Sequence, residues 1–145
     1  MSDNTSKKGI LLLPPTMRFI VELSTWTWLI LAGFKYSLSW YYAIFWVLAV
    51  VSIASLASLN YPGDKRDASA KQIGLTVPGW LRVSIEFISG SLGVTAAFFY
   101  VGLAGGIPQL TVTLVAFFLD RKRWMWMFGI LAEPPDYVTI VLKKP

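Results

Sequence analysis

Two arginine–glutamate pairs occur in two copies of one short motif: Arg18 with Glu22, and Arg82 with Glu86. Each pair follows a proline and opens a long apolar run, and the copies are 64 residues apart. Residues four apart share a helix face, so each copy predicts a guanidinium beside a carboxylate near a helix end. In a membrane helix such groups are candidates for binding a proton or a cation. The alternative is a buried charge network, in which each arginine pairs with the glutamate of the other copy.

The apolar runs that follow the motif predict an all-α, polytopic membrane protein with four transmembrane helices. Residues 40–59 and 87–119 contain no charged residue, and 55% of the chain is hydrophobic. The second run would form a helix about 50 Å long, whereas the hydrocarbon core of a bilayer is about 30 Å thick. We therefore expect a break between Gly102 and Pro108. The predicted spans are residues 17–32, 39–59, 80–103 and 107–119.

These spans group into two tandem hairpins, and the repeated motif at the start of each predicts a parallel internal repeat. The expected division is an N-terminal tail at 1–14, hairpins at 15–60 and 78–123, a polar loop at 61–77, and an aromatic tail at 124–145. This topology places 12 of the 13 basic residues on one side and only Lys35 on the other. The positive-inside rule then puts both termini in the cytoplasm of a multi-pass cell-membrane protein.

The chain contains neither cysteine nor histidine. This composition excludes disulfides, thiol chemistry and histidine-ligated haem, copper or zinc within this chain. No nucleophile is paired with a base, so we predict no catalytic residues, no metal site and no cofactor. The chain has a net charge of +5, and its basic residues lie at the ends of the predicted spans. This distribution favours the lipid bilayer over nucleic acid as a partner.

Two further groups of residues bear on partners. Small residues on the third span let another helix approach closely, either within the chain or from a second copy or subunit: Ser89, Gly90, Gly93 and Ala97. A basic run follows the fourth span: Arg121, Lys122 and Arg123. This run is a candidate site for lipid headgroups. The alternative is that it only stops the span and fixes its orientation in the membrane.

The repeated motif also resembles a known family. Arg18-Phe-Ile-Val-Glu22, Tyr61-Pro-Gly-Asp64 and Val77-Pro-Gly-Trp-Leu-Arg82-Val-Ser-Ile-Glu86 are similar to the pattern of the YrdB-like family, small prokaryotic four-span membrane proteins classed as a domain of unknown function. The resemblance covers about residues 15–120. It implies an architecture but no activity, because the family has none assigned. Residues 124–145 depart from it by being longer and more aromatic.

These patterns predict an integral membrane scaffold or accessory protein without catalytic activity, and a candidate subunit of a larger membrane complex or of a homo-oligomer. The alternative is a small transporter, or an ion or proton carrier, that uses Glu22 and Glu86. Small multidrug-type exporters resemble this chain in having four short spans and a glutamate in the first. They differ in their weak charge bias, whereas the bias here fixes one orientation. An enzyme is the least favoured class.

Overall fold

The computed structural model describes residues 3–36, 38, 40–61 and 75–136. Within these residues the chain is all-α, which confirms the predicted class. The helices are α1 (Asp3–Lys35), α2 (Tyr41–Ser58), α3 (Gly79–Val101), α4 (Leu103–Leu119) and α5 (Arg121–Met127). Two short strands, β1 (Leu59–Asn60) and β2 (Leu75–Thr76), pair in parallel, with Leu59 opposite Leu75.

Helix α1 packs against α2, α3 and α4. Helices α1 and α3 run parallel. Earlier residues of the two helices meet at one end, and later residues of both meet at the other. At one end Glu22 and Glu86 line one cavity. At the other end the Lys35 ammonium donates to the backbone carbonyls of Phe99 and Tyr100. The two helices that carry the repeated motif therefore point in the same direction.

Helices α2 and α4 run antiparallel to α1. Gly33, near the end of α1, faces the beginning of α2, where an added Cβ would lie 3.1 Å from Trp46 Nε1. Asp120, just after α4, bonds to Arg18 in the first half of α1. The half of the interior nearer Lys35 is filled by an apolar core: Leu29, Ala32, Phe45, Ala49 and Ala96.

Several boundaries differ from the sequence predictions. Helix α1 begins at Asp3 and continues through Pro14 and Pro15, whereas the first predicted span began at residue 17. Each proline removes one backbone hydrogen bond and crowds the carbonyl four residues before it, so the helix continues through this pair at a cost in free energy. The break after α3 is a single residue, Gly102, and α4 already includes Pro108. Gly102 has φ 67° and ψ −144°, a conformation open essentially to glycine alone.

The predicted loop and tail are also partly ordered. Residues 75–76 of the 61–77 loop form β2, and residues 124–127 of the aromatic tail belong to α5. Residues 62–74 of the predicted loop and 137–145 of the predicted tail lie outside the described residues.

The described residues combine an apolar core with many buried polar side chains and a largely apolar outer surface. Ten of the described polar or charged side chains are buried: Glu22, Thr25, Ser52, Arg82, Glu86, Ser89, Gln109, Thr113, Asp120 and Arg123. Large apolar side chains cover the outside of α1 to α4, among them Phe19, Leu23, Val47, Val50, Ile88, Leu114 and Phe118. Buried polar groups and wide exposed apolar patches are the two informative departures from the pattern of a soluble protein.

One helix, α3, is long and apolar enough to cross a membrane by itself. Helices α4 and α5 meet the same requirement only as a pair, and they are bent by 58° where they join. The apolar helix α2 is shorter. By length and composition, one or two of the described helices therefore qualify as spans, against the four predicted from the sequence.

Candidate functional site

One close contact between charged side chains joins Arg123 to Glu86. Arg123 Nη1 lies 2.9 Å from Glu86 Oε2, and Arg123 Nη2 lies 3.0 Å from Oε1. The Trp124 indole N–H also faces Oε2, at 3.4 Å. The guanidinium is only 1% exposed and the carboxylate 5%. A bidentate, charge-assisted pair of this kind is among the strongest polar contacts in proteins.

Asp120 connects this pair to the first helix. Its Oδ2 atom lies 3.3 Å from Arg123 Nη1 and 3.4 Å from Arg18 Nη1. The Asp120 side chain is buried, at 2% exposure. A single carboxylate thus joins α1 to the start of α5.

The remaining two charges complete a buried cluster. Arg82 Nε lies 3.6 Å from Glu86 Oε1 within α3, an ion pair beyond hydrogen-bond distance. Glu22 is buried and lines the same cavity as Glu86. The cluster contains three guanidinium groups and three carboxylates, and their formal charges cancel: Arg18, Arg82 and Arg123 with Glu22, Glu86 and Asp120.

Helix α5 positions Arg123 because the chain bends at Asp120. The 58° bend turns α5 away from the axis of α4. The Trp124 ring packs on Phe87 and Phe117, with centroid distances of 4.6 and 4.9 Å. At the end of α5 the Met127 carbonyl lies so close to Gly79 that an added Cβ would be 1.9 Å from its oxygen. Glycine at position 79 is therefore required for α5 to dock beneath α3.

The four motif residues of the sequence analysis meet in this cluster. Arg123, however, was grouped with Arg121 and Lys122 as a lipid-headgroup residue, and that interpretation is wrong for Arg123. Its side chain is buried against Glu86, whereas Arg121 and Lys122 are exposed. Sequence reasoning also missed Asp120. The sequence does contain a signal for it: the acidic Asp120 and the basic Arg123 are three residues apart, directly after an uncharged span, and residues at this spacing share a helix face.

The small residues of α3 are all buried within this chain: Ser89, Gly90, Gly93 and Ala97. A Cβ on Gly93 would lie 2.3 Å from Thr25 Oγ1, so α1 contacts the α3 backbone there. A Cβ on Gly90 would lie 2.9 Å from Phe117 Cζ of α4. This face packs against the chain's own helices, and it is not available to a second copy.

Polar side chains continue from the cluster toward the middle of the helices. Ser89 and Ser52 share a hydrogen bond of 2.6 Å between α3 and α2. The Gln109 amide accepts a hydrogen bond from the Trp28 indole at 3.0 Å and donates one to Ser24 Oγ at 2.9 Å. The two Gln109 hydrogen bonds join α1 to α4 midway along the helices. The charge cluster joins the same two helices at their ends.

Among the described residues, no group of histidine, cysteine, aspartate and glutamate side chains has an arrangement that could hold a metal ion. Comparison of the chain with family models, curated proteins and solved structures gave no match.

Proposed function

We propose that this chain is an integral membrane scaffold or accessory protein, built as a four-span helical bundle and without catalytic activity. The observation that carries the proposal is the apolar outer surface of the helices, together with the polar side chains buried between them. Water would penalise an outer surface covered by side chains such as Phe19, Val50 and Phe118, whereas lipid solvates it. Helices satisfy their own backbone groups, which lipid requires of any spanning segment.

In this proposal α1, α2, α3 and the α4–α5 pair each cross the bilayer. Helix α2 has 18 residues, and at 1.5 Å per residue it is about 27 Å long, close to the thickness of the hydrocarbon core. The charge cluster would lie near the cytoplasmic surface and Lys35 near the opposite one. Exposed Arg121 and Lys122 would then lie at the level of the lipid headgroups. Membership of the YrdB-like family would agree with this architecture.

A structural role for the cluster is supported by its charge balance. Cation binding requires surplus negative charge or an available carboxylate, but the six groups cancel and Glu86 is engaged by both hydrogen-bonding nitrogens of Arg123. Loss of one member of a buried ion network is costly, because it leaves an uncompensated charge in the protein interior. We therefore assign the cluster to holding α1, α3, α4 and α5 together.

The alternative, an ion or proton carrier that uses Glu22 and Glu86, has weaker support. A carrier needs access to its site from both sides of the membrane. In this conformation the half of the interior nearer Lys35 is filled by Leu29, Phe45 and Ala49, all buried apolar side chains. The polar interior thus ends about midway along the helices.

The experiment that tests the scaffold proposal is purification of the tagged full-length chain from native membranes in mild detergent. Native mass spectrometry would give the mass of the particle and the identity of its chains. A particle with a fixed set of partner chains, or a fixed number of copies, is expected. A lone monomer with bound lipid would contradict the proposal, and proton or cation flux in liposomes that is lost in Glu22→Gln would establish the alternative.

The membrane topology is tested separately, so that a wrong orientation is distinguished from a wrong function. The chain has no native cysteine, so single-cysteine variants are labelled at one position only. Leu38→Cys and Glu133→Cys place the thiol at two exposed positions. In intact cells a membrane-impermeant maleimide should label the Leu38→Cys variant and leave the Glu133→Cys variant unlabelled. Labelling of both variants, or of Glu133→Cys alone, would refute the proposed orientation.

A further inference from the structure

An open groove lies at the end of the bundle where α1 and α3 terminate. Its volume is about 520 Å³, and the residues that line it are Leu31, Phe34, Lys35, Tyr100 and Val101. Phe34 and Val101 are 60% and 43% exposed, so the groove faces the outside of the helices rather than the interior. It combines a wall of apolar and aromatic side chains with one cationic group, the Lys35 ammonium.

The Lys35 ammonium is held at this groove by two carbonyl oxygens and two tyrosine rings. It donates to the Phe99 carbonyl at 3.2 Å and also to the Tyr100 carbonyl. The ring centroids of Tyr36 and Tyr100 lie 5.7 and 5.6 Å from the nitrogen, within the range of cation–π contacts. An ammonium group has three N–H donors, so one remains for a ligand after the two carbonyl bonds.

The charge of Lys35 is not balanced by an acidic side chain. Lys35 is the only charged residue between Glu22 and Asp64 in the sequence, and it forms no ion pair within the described part of the chain. The dipole at the end of α3 carries roughly half a negative charge, so it offsets the ammonium only in part. The groove therefore favours a ligand that is anionic at Lys35 and apolar beside Phe34 and Val101.

We propose that this groove binds one anionic phospholipid, with its phosphate on the Lys35 ammonium and an acyl chain against Phe34 and Val101. The inference rests on the proposed function, because only a chain embedded in a bilayer meets phospholipid at this surface. A phospholipid carries both required parts, a phosphate anion and an apolar chain, in one molecule. A lipid with a net charge of about −1 complements the ammonium, whereas the cationic group of a zwitterionic headgroup cancels part of the attraction.

The test measures lipid binding to the full-length protein by native mass spectrometry in mild detergent. Delipidated protein is titrated with phosphatidylglycerol, which is anionic, and separately with phosphatidylcholine, which is zwitterionic. Lys35→Gln should weaken binding of the first phosphatidylglycerol about fivefold, the factor that one lysine near a lipid surface supplies. Binding of phosphatidylcholine should change little, and Lys35→Arg, which keeps the charge, should retain the wild-type affinity for phosphatidylglycerol.

Lys122→Gln is the matched control, because Lys122 is an exposed lysine at the opposite end of the bundle. This variant should bind the first phosphatidylglycerol as tightly as the wild type does. Equal weakening in Lys122→Gln and Lys35→Gln would mean that positive charge anywhere on the protein attracts the lipid, and it would overturn the proposal. Unchanged phosphatidylglycerol binding in Lys35→Gln would overturn it as well.

Glycerophosphoglycerol, the same headgroup without acyl chains, distinguishes a lipid site from a simple anion site. An excess of it should leave the bound phosphatidylglycerol in place, and displacement would overturn the proposal. Failure of the membrane proposal itself has a different signature. A chain that stays folded and soluble without detergent and binds neither lipid would refute both proposals, whereas phosphatidylglycerol binding that does not depend on Lys35 refutes this site alone.

Discussion

Arg123 and Glu86 lie 37 residues apart in the chain, yet their side chains form two parallel hydrogen bonds in the protein interior. The pair joins the last described helix, α5, to the helix that carries the second copy of the repeated motif. Asp120 extends it to Arg18 of the first copy. The cluster therefore depends on residues from both halves of the chain.

Arg123→Ala should destabilise the protein by about 3–5 kcal/mol, because the variant leaves the Glu86 carboxylate without its bidentate partner in a buried site. Unfolding by denaturant in a fixed detergent mixture measures the loss. Arg121→Ala, two residues away and exposed, is the matched control and should change stability by less than about 0.5 kcal/mol.

A double substitution separates the ion pair from simple packing. Because a buried ion pair can be replaced by apolar residues at little cost, Arg123→Met with Glu86→Leu should recover most of the stability lost in Arg123→Ala. A double variant as unstable as the sum of the two single variants would contradict the direct coupling of these residues.

Gly93→Ala should destabilise the contact between α1 and α3 by about 1–3 kcal/mol, since the new methyl group would overlap the Thr25 side chain. The same unfolding assay measures the effect. Ser91→Ala, on the exposed side of α3, serves as the control and should be nearly neutral. Equal stabilities for the Gly93 variant and its control would show that α1 does not approach α3 this closely.

Gly102→Ala should cost about 1–3 kcal/mol, because alanine is strained at φ 67° and ψ −144° even though no atom lies near its methyl group. Ala104→Ser, two residues further on and also exposed, is the comparison. If Gly102→Ala were as stable as the wild type, the break between α3 and α4 would have to lie elsewhere.

Lys35→Gln should cost far less than loss of Arg123, at about 0.3–1 kcal/mol. The Lys35 ammonium interacts with the last carbonyls of α3 from an exposed position, where water screens its charge. Added salt should reduce this difference in unfolding free energy while leaving the effect of Arg123→Ala nearly unchanged. A salt-independent loss above about 2 kcal/mol would contradict this account.

The helical class and the shared helix face of Arg82 and Glu86 could be predicted because both depend on local patterns. The spacing of Arg18 and Glu22 fixes a shared helix face in any helix that contains them. The burial of Arg123 could not be predicted in this way, because it depends on the bend at Asp120 and on the docking of Met127 over Gly79. The start of α1 was missed for a related reason: two prolines signal a helix end locally but do not enforce one.

Asp120 and Arg123 are synthesised after the other four charged residues of the cluster. A nascent chain that ends before residue 120 already contains Glu86 but lacks the guanidinium that clamps it, and it contains Arg18 without the Asp120 carboxylate. The part of the cluster present at that stage, two guanidinium groups and two carboxylates, already has no net charge. Asp120 and Arg123 add one charge of each sign, so a product truncated before residue 120 loses the hydrogen bonds that they make to Arg18 and Glu86, whereas its charge balance is unchanged.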